Sequence, residues 1–355
     1  MRILITGGAG FVGATLARSF RAAEAPPEVV AFDNLRRRGA EMNLPLLRQA
    51  GVQFVHGDVR NPGDLADLPG NFDLLVEASA EPSVLAGLDG SPTYVLETNL
   101  VGMLHCLEFA RRRGAAVLFL STSRVYSIEP LRGVCLTEQP TRFELAPTQR
   151  CPGVGPAGIA EAFPVHLPRS FYGASKLAAE YVLQEYVHAY GLKCVINRCG
   201  VIAGPGQFGK VDQGVFTLWV AHHYFGLPLR YTGFGGTGKQ VRDLLDPEDL
   251  FVLVNRQLAR VEHWNGEVYN VGGGADGSVS LHEFTDLCRA ATGRSVPVGE
   301  VPETTAVDVP VYVSDCAKVR ATFGWQPRIA PGEIATRIAE WLRHNEAAVR
   351  PLFVQ

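Results

Sequence analysis

The first half of the chain alternates short, apolar runs with longer amphipathic ones. The apolar runs cover residues 3–5, 28–32, 52–56, 74–77, 115–120 and 192–198. Residues 14–22 and 92–113 instead repeat apolar positions at helical spacing. Strands that alternate with helices predict an α/β fold built on a doubly wound parallel sheet, whose ligands bind at the carboxyl ends of the strands.

The pattern changes beyond residue 203. Glycine becomes more frequent, the elements become shorter, and one helix is predicted over residues 280–292. We therefore expect a nucleotide-binding domain over residues 1–203 and a smaller, mainly substrate-binding α/β domain over residues 204–355.

A glycine-rich turn joins the first predicted strand to the first helix. Gly7, Gly10 and Gly13 permit a tight turn and let a pyrophosphate approach the backbone at a helix N-terminus. Asp33 ends the second strand, about 20 residues further on, where a carboxylate accepts hydrogen bonds from a ribose. A carboxylate also repels a 2′-phosphate, so the pattern predicts a Rossmann-type site for NAD. The three arginines at 36–38 argue mildly for NADP, but a solvated loop explains them more simply.

Three further strand ends carry candidate contacts. Asp58 and Val59 follow the third strand and are placed to reach adenine, while Ser79 and Thr122 follow the fourth and fifth strands. Since parallel strands end at one edge of a sheet, we expect Ser79 and Thr122 to converge on one cleft.

Tyr172 and Lys176 open a second long helical run. Residues four apart share one face of a helix, so the phenol and the ammonium group lie side by side. A neighbouring Lys⁺ favours the phenolate and lowers the pKa of a tyrosine, which can then move a proton to or from a hydroxyl. A Tyr-x-x-x-Lys spacing alone also occurs in ordinary amphipathic helices; the preceding dinucleotide motif favours the catalytic interpretation.

Residues 128–170 lie between Thr122 and Tyr172 and interrupt the alternation. They are rich in proline and glycine and have no clear period, which is typical of a linker or a lid. We expect this insertion to lie near the active site, with residues 141–143 either contacting substrate or forming a plain surface loop.

The composition excludes several other classes of protein. The chain has 355 residues, is 46% hydrophobic and carries a formal net charge of -3, which gives no general attraction to nucleic acid or to an anionic membrane. The seven cysteines are scattered, and His222 and His223 are adjacent and so point apart on a helix, which predicts no metal site. No signal peptide or membrane span is recognisable, so we expect a cytoplasmic protein.

The motifs together resemble the extended short-chain dehydrogenase/reductase family over nearly the whole chain. The resemblance rests on TGGAGFVG at 6–13, Asp33, Asp58-Val59, Ser121-Thr122, Val125-Tyr126 and Tyr172-x-x-x-Lys176. Members of this family act on nucleotide sugars with a bound nicotinamide cofactor. The resemblance implies that Thr122 and Tyr172 bracket the sugar hydroxyl and that Lys176 holds the nicotinamide ribose and tunes Tyr172.

The candidate site residues follow from these motifs and from the resemblance. The cofactor-binding candidates are Gly7, Gly10, Phe11, Val12, Asp33, Asn34, Asp58, Val59, Ser79, Ala80, Asn99, Ser121, Tyr172 and Lys176. The substrate-binding candidates are Ser123, Arg124, Gln207, Gln213 and Arg242. Arg242 is expected to fork onto the substrate diphosphate, with a surface pair to Asp243 or Asp246 as the alternative.

The residues after Thr122 bear on the branch of the family. Within the family that the chain resembles, nucleotide-sugar 4,6-dehydratases carry Asp-Glu there and uronate decarboxylases carry Ser-Glu, whereas this chain has Ser123 and Arg124. It is similar instead to CDP-paratose 2-epimerases (CDP-tyvelose epimerases), notably at residues 32–35, 141–143, 212–214 and 238–243. It departs from the wider family at Glu77, where histidine is usual, and at Glu81, where glutamine is usual.

The resemblance favours a nucleotide-sugar 2-epimerase that works by transient oxidation with NAD. The alternatives are an epimerase acting at C4, less plausibly a dehydratase or decarboxylase, or a binding protein that keeps NAD without catalysis. The base of the nucleotide stays open. The resemblance also implies a homodimer through the helices at 92–113 and 172–190, which carry apolar residues beyond one core-facing stripe.

Overall fold

The structure is a computed structural model and describes residues 1–88, 90–209 and 213–354. Its strands are β1 (Arg2–Thr6), β2 (Glu28–Asp33), β3 (Gln53–His56), β4 (Leu74–Glu77), β5 (Ala116–Thr122), β6 (Leu136–Glu138), β7 (Phe143–Leu145), β8 (Val154–Gly155), β9 (Gly158–Ile159), β10 (Cys194–Cys199), β11 (Val201–Ile202), β12 (Leu229–Thr232), β13 (Val241–Leu245), β14 (Glu267–Val271), β15 (Ser278–Ser280), β16 (Val298–Val301) and β17 (Val311–Tyr312).

The α-helices of the described residues alternate with the strands in the first half of the chain and cluster at its end. They are α1 (Phe11–Arg21), α2 (Asn43–Gln49), α3 (Pro62–Ala66), α4 (Thr93–Leu96), α5 (Gly102–Arg113), α6 (Ile128–Arg132), α7 (Phe171–Tyr190), α8 (Val215–Phe225), α9 (Pro247–Leu258), α10 (Leu281–Thr292), α11 (Ala317–Phe323), α12 (Pro331–His344) and α13 (Glu346–Phe353).

The chain divides into two compact units, and both are discontinuous in sequence. The first unit comprises Met1–Val125, Ser170–Arg198 and Phe251–Tyr269, and the second comprises Tyr126–Arg169, Cys199–Leu250 and the chain from Asn270 onward. Their boundaries therefore differ from the expected division at 203/204, because most of the 128–170 insertion groups with the second unit. A nucleotide-binding and a substrate-binding role for the two parts stays a prediction.

The first unit is built on a seven-stranded sheet with the strand order β14-β10-β5-β4-β1-β2-β3. The registers of β1 with β2, β1 with β4, β2 with β3 and β4 with β5 are parallel. The predicted α/β fold with a parallel sheet is confirmed. The strand order reverses beside β1, between β1 and β4, and such a reversal opens a crevice at the carboxyl ends of the strands, where ligands bind.

The helical stretch predicted over residues 92–113 forms with one departure from regular α-helix. A π-helical turn, Glu97–Val101, separates α4 from α5 and contains the buried side chain of Asn99. Single π-helical turns inside α-helices often mark functional sites. The predicted helix is present, and the π-helical turn within it is a feature that apolar periodicity does not reveal.

Some apolar residues that suggested a dimer surface belong to the core of the first unit. Met103, Leu107 and Leu183 are buried in the same cluster as the sheet residues Leu75 and Phe119. Tyr181 and Tyr190 of α7 remain exposed, at 53% and 59%. The homodimer stays a prediction, with a smaller exposed apolar surface than the sequence pattern suggested.

The second unit contains several small sheets and a group of helices. Strands β11, β13 and β15 form one sheet with β17 beside β13, and β12 pairs with β16. Helix α10 begins with a capping box: Ser280 Oγ accepts from the backbone N–H of Glu283, and the Glu283 carboxylate accepts from the backbone N–H of Ser280. No helix among the described residues has the length and apolar character needed to cross a membrane.

The insertion contributes two short hairpins to this unit, β6–β7 and β8–β9. Arg142 donates to Ser278 Oγ at 2.7 Å and to Glu283 Oε2 at 3.4 Å, and Thr141 Oγ1 donates to Glu283 Oε1 at 2.9 Å. The side chains for which a substrate contact was considered thus fasten the insertion to the N-terminus of α10.

Candidate active site

The glycine turn after β1 lies against the chain that leaves β4. Gly7 has a φ of 63°, and a Cβ there would lie 2.6 Å from the carbonyl oxygen of Ala78. A Cβ at Gly13 would lie 2.2 Å from the carbonyl oxygen of Gly7, so only glycine lets α1 approach the turn. The N-cap of α1, Gly10, provides no side-chain cap, which leaves N–H groups of the first turn for another acceptor. This cradle fits the pyrophosphate of a dinucleotide.

Asp33 is fixed beside that turn at the end of β2. Its carboxylate accepts from the backbone N–H of Ala9 at 3.1 Å and of Leu35 at 2.8 Å. Burial raises the pKa of Asp33, and these backbone donors oppose the rise. Leu35 has a φ of 53°, in the left-handed region, which turns the chain sharply after the carboxylate. Asp33 thus lies beside the glycine turn, and its contact with a ribose stays a prediction.

Asn34 and Asp58 form a polar cluster with Arg60. Asn34 Nδ2 donates to Asp58 Oδ2 at 2.9 Å, and the Arg60 guanidinium donates to the same oxygen at 2.6 Å. Burial alone would raise the pKa of Asp58, but the donors of Arg60 and Asn34 lower it to about 2. Two of the predicted cofactor contacts are thus joined in one charged cluster, next to the buried Val59.

Two arginine side chains stack on the ring of Tyr94 in α4. The guanidinium carbon of Arg36 lies 4.1 Å from the centre of the Tyr94 ring, and that of Arg60 lies 4.8 Å from it. Arg36 is exposed, as a surface loop predicts, but its stacking on Tyr94 was not foreseen.

Lys176 is a fully buried cation on α7. Its Nζ donates to Glu77 Oε2 at 3.3 Å, to Leu120 O at 3.1 Å and to Ser79 O at 3.5 Å. It also lies 4.5 Å from the centre of the Phe119 ring. Ser79 Oγ donates to the other oxygen of Glu77. The three N–H groups of the ammonium are therefore aimed at β4, at β5 and at the chain after β4.

Tyr172 lies one turn before Lys176 on the same helix. The helix is started by Ser170, whose Oγ accepts from Gly173 N at 3.2 Å. The side chain of Tyr172 is half-buried, and its spacing places it on the face of α7 that carries Lys176. The predicted phenol–ammonium pair is thus offered by a capped, regular helix.

Thr122 ends β5 and is buried. Its Oγ1 accepts from the backbone N–H of Arg124 at 3.1 Å, which leaves the hydroxyl proton to be donated elsewhere. Ser123 and Arg124 form the short 3₁₀ turn after the strand. The ammonium of Lys176 is bonded to the carbonyl of Leu120, two residues before Thr122 on the same strand.

Asn99 joins the π-helical turn to the helix of Tyr172. Its Oδ1 accepts from Glu81 N at 2.8 Å, and its Nδ2 donates to Glu81 O and Ser175 Oγ, both at 3.1 Å. Ser175 Oγ in turn donates to the carbonyl of Tyr172 at 2.8 Å. Asn99, a predicted cofactor contact, braces Ala80 and its neighbours against α7; a direct contact with cofactor stays a prediction.

Ser121 belongs to a second buried network on α7. Its Oγ donates to Glu180 Oε1, while Arg198 donates to both oxygens of Glu180 at distances between 2.7 and 3.1 Å. The proton of the Ser121 hydroxyl is thus used within the protein, and a contact of this residue with cofactor stays a prediction.

The other predicted substrate contacts belong to the second unit. Gln207 is buried, donates to Ile202 O at 3.0 Å and accepts from Thr217 at 2.6 Å. Gln213 Oε1 is buried and has no hydrogen-bond partner among the described residues. An acceptor that binds a ligand would have this property. Asp212, which contributes to the resemblance at 212–214, lies outside the described residues.

Arg242 has a partner that the sequence did not suggest. Its guanidinium donates to Asp308 Oδ1 at 2.7 Å and to Val309 O at 2.8 Å. Asp243, which was considered as its partner, is buried and accepts from the backbone of Gly274 and Ser314. A fork onto a diphosphate would require Arg242 to share or exchange Asp308, and that role stays a prediction.

Sequence reasoning missed three residues around Lys176. No sequence motif marks Ser175, and Glu77 stands out in the sequence only as a departure from the family. Glu180 gave no signal, because its partners Ser121 and Arg198 lie on other elements. Among the described residues, no group of three or more His, Cys, Asp or Glu side chains is arranged to hold a metal ion.

Comparison with known proteins identifies the family. The model of the NAD dependent epimerase/dehydratase family matches residues 3–272. The chain belongs to this family. It is 31% identical to the CDP-paratose 2-epimerase of Salmonella typhi, over 96% of this chain and 99% of that protein.

Two solved structures resemble it over almost their whole length. The dTDP-glucose 4,6-dehydratase DesIV of Streptomyces venezuelae, solved with NAD, has a TM-score of 0.79 at 28% identity and covers 99% of this chain and 100% of its own. The UDP-glucose 4-epimerase of Thermus thermophilus, also solved with NAD, has a TM-score of 0.76 at 27% identity and covers 97% and 99%. The expected family and its NAD dependence are confirmed. Relatives that catalyse different reactions have similar sequence identities to this chain and similar TM-scores.

Proposed function

We propose that this chain is an epimerase that inverts one carbon of a nucleotide-diphosphate sugar by transient oxidation. The observation that carries the proposal is the sequence after Thr122. The hydroxyl of Thr122 and the Tyr172–Lys176 pair are the groups that oxidation and reduction of a hydroxyl require. The two residues after Thr122 are Ser123 and Arg124, where the dehydratases of the resemblance carry two acids.

The residues have separate tasks in this reaction. The glycine turn after β1 and Asp33 would hold NAD, which would supply the hydride acceptor for the sugar carbon and, once the keto sugar had turned its other face to the cofactor, the hydride donor. Tyr172 takes the proton of the hydroxyl as the carbonyl forms, and returns it when the carbonyl is reduced. Thr122 donates a hydrogen bond from its hydroxyl to the same oxygen and so orients the sugar hydroxyl. Lys176 supplies the positive charge that favours the phenolate.

The substrate is proposed to be a CDP-sugar inverted at C2. The support is the full-length similarity to the CDP-paratose 2-epimerase, together with the resemblance to such enzymes at residues 32–35 and 238–243. Inversion at C4 uses the same residues, so the seating of the sugar alone separates the two reactions. The similar solved 4-epimerase keeps that second candidate open.

A deuterium experiment tests the proposal. Sugars labelled at C2 or at C4, on CDP, UDP, GDP and dTDP, are incubated with the protein, and the products are analysed by NMR and mass spectrometry. We expect an isomer of unchanged mass that keeps its deuterium at the inverted carbon and gains none from D₂O. Only the label at the inverted carbon should slow a turnover that is limited by chemistry.

Tyr172→Phe is the matched variant, since it removes the phenol oxygen and keeps the ring. Its turnover should fall by about 10²–10⁴-fold. A product that has lost the mass of water would indicate a dehydratase. Solvent deuterium at the inverted carbon, or near-normal turnover by Tyr172→Phe, would overturn the proposal.

A further inference from the structure

Glu77 is a buried carboxylate to which neither the sequence motifs nor the proposed reaction gives a task. Its side chain is 3% exposed and that of Lys176 is 2% exposed, and the two are separated by 3.3 Å. Burying two charges carries a large desolvation cost, which close pairing offsets only in part. A buried pair is therefore weak evidence for added stability, and its position beside Tyr172 suggests another consequence.

The pair has a consequence for the phenol one turn away. A lone Lys⁺ in this place would favour the phenolate of Tyr172 strongly, because water does not screen it. Glu77 places a negative charge against that ammonium, so the pair as a whole is neutral. The phenol then experiences the field of a dipole rather than that of a full positive charge.

The other groups that the structure describes around the pair add no second charge. Cys106 of α5 interacts electrostatically with both Glu77 and Lys176, and burial raises the pKa of its thiol well above the ordinary value, which keeps it neutral. β5 contributes the carbonyl of Leu120 and the ring of Phe119, and Ser79 contributes a hydroxyl and a carbonyl. Among the described contacts of Lys176, Glu77 provides the charge that opposes the ammonium.

We propose that Glu77 is a positioning residue that holds the Lys176 ammonium toward β4 and offsets its charge, and thereby moves the ionisation of Tyr172 to higher pH. This inference rests on the proposed function, because it gives Glu77 its importance through Tyr172. It predicts that the enzyme reaches full activity at a higher pH than it would with a neutral residue at position 77.

Glu77→Gln tests the proposal while keeping the shape and an acceptor for Lys176. The protein is loaded with NAD and labelled with ¹³Cζ-tyrosine, and Tyr172 is assigned by the signal that Tyr172→Phe lacks. Loss of the negative charge should move the Tyr172 titration to lower pH by on the order of one pH unit. The acid limb of the pH profile of kcat should move in the same direction.

Glu180→Gln is the matched control. It removes the charge of the buried carboxylate of α7, which faces Arg198, and should leave the Tyr172 titration unmoved. An equal shift in both variants, or no shift in Glu77→Gln, would overturn the proposal. If Glu77→Gln does not fold, Glu77→His, measured where histidine is neutral, should show the same downward shift, and its absence would count equally against the proposal.

The NMR titration needs no substrate, so it separates this inference from the proposed function. Wild-type protein that converts no nucleotide sugar would refute the function alone. A converting wild type whose Tyr172 titrates as in Glu77→Gln would refute the inference alone.

Discussion

Helix α7 carries two buried ion pairs one turn apart, and they are built differently. Lys176 meets Glu77 through a single N–H, and its other donors go to backbone carbonyls. Arg198 meets Glu180 through both Nε and a terminal nitrogen, and Ser121 adds a third donor. Both pairs are nearly sealed from solvent.

The difference follows from the two cations. A guanidinium is a planar fork that matches a carboxylate, whereas an ammonium is a compact charge on a flexible stem. The Arg198 pair therefore fixes β10 against α7 in one geometry. The Lys176 pair leaves the cation able to exchange acceptors, which suits the proposed role of Lys176 beside the cofactor. One helix thus combines a structural pair with one suited to function.

The largest effect on stability should come from the structural pair. Arg198→Met leaves the Glu180 carboxylate buried without its cation, and such a loss typically costs about 3–5 kcal/mol. We expect a fall of that size in the free energy of unfolding, measured by urea denaturation, with no change in the pH at which Tyr172 titrates. Arg198→Lys keeps the charge and should lose less. A fall below about 1 kcal/mol would mean that the two pairs do not differ as described.

Much of the fold could be predicted from the sequence because its signals are local. The glycine spacing, Asp33 and the apolar runs each act within a few residues, and the structure places Gly7, Gly13 and Asp33 as the pattern requires. Tyr172 and Lys176 could also be found, because helical spacing alone puts them on one face.

The missed features are set by contacts between elements distant in sequence. Glu77 of β4 pairs with Lys176 of α7, and Ser121 of β5 donates to Glu180 of the same helix. No spacing in the sequence predicts either contact. The π-helical turn at Glu97–Val101 differs from an α-helix by one residue per turn, which the pattern of a helix this long conceals. The partner of Arg242, Asp308, likewise lies on a segment without a recognisable motif.

A smaller effect on stability should come from the hydrogen bonds by which Asn99 joins Glu81 to Ser175 of α7. Asn99→Ala removes three hydrogen bonds and leaves Ser175 and the backbone of Glu81 short of partners, at a cost of about 1–3 kcal/mol. Unlike Arg198→Met, it should also weaken retention of NAD, which equilibrium dialysis measures. Thr98→Ala is the control, since the hydroxyl of Thr98 has no partner among the described residues. Equal losses of stability and of NAD retention in the two variants would contradict the bracing role of Asn99.

The smallest effect should come from a pair that borders solvent, Asp58 with Arg60, whose side chains are 21% and 32% exposed. The pKa of Asp58 is lowered to about 2 from an ordinary value of 3.8. A carboxylate with a lowered pKa stabilises the folded protein above its unfolded pKa, and loses that contribution as pH falls toward the folded value. After screening by solvent, roughly 0.5–1 kcal/mol should remain at neutral pH.

Asp58→Asn should therefore be less stable than the wild type by that amount at pH 7, and the difference should shrink as the pH falls from about 4 toward 2, where the Asp58 carboxylate of the folded protein becomes protonated. Urea denaturation at matched cofactor loading across this range provides the measurement. High salt should shrink the difference at pH 7, because the pair is open to counterions, while the loss in Arg198→Met should persist. A difference that is independent of both pH and salt would mean that Asp58 acts by shape and hydrogen bonding rather than by charge. The distinction between solvent-facing and buried pairs would then not explain their energies.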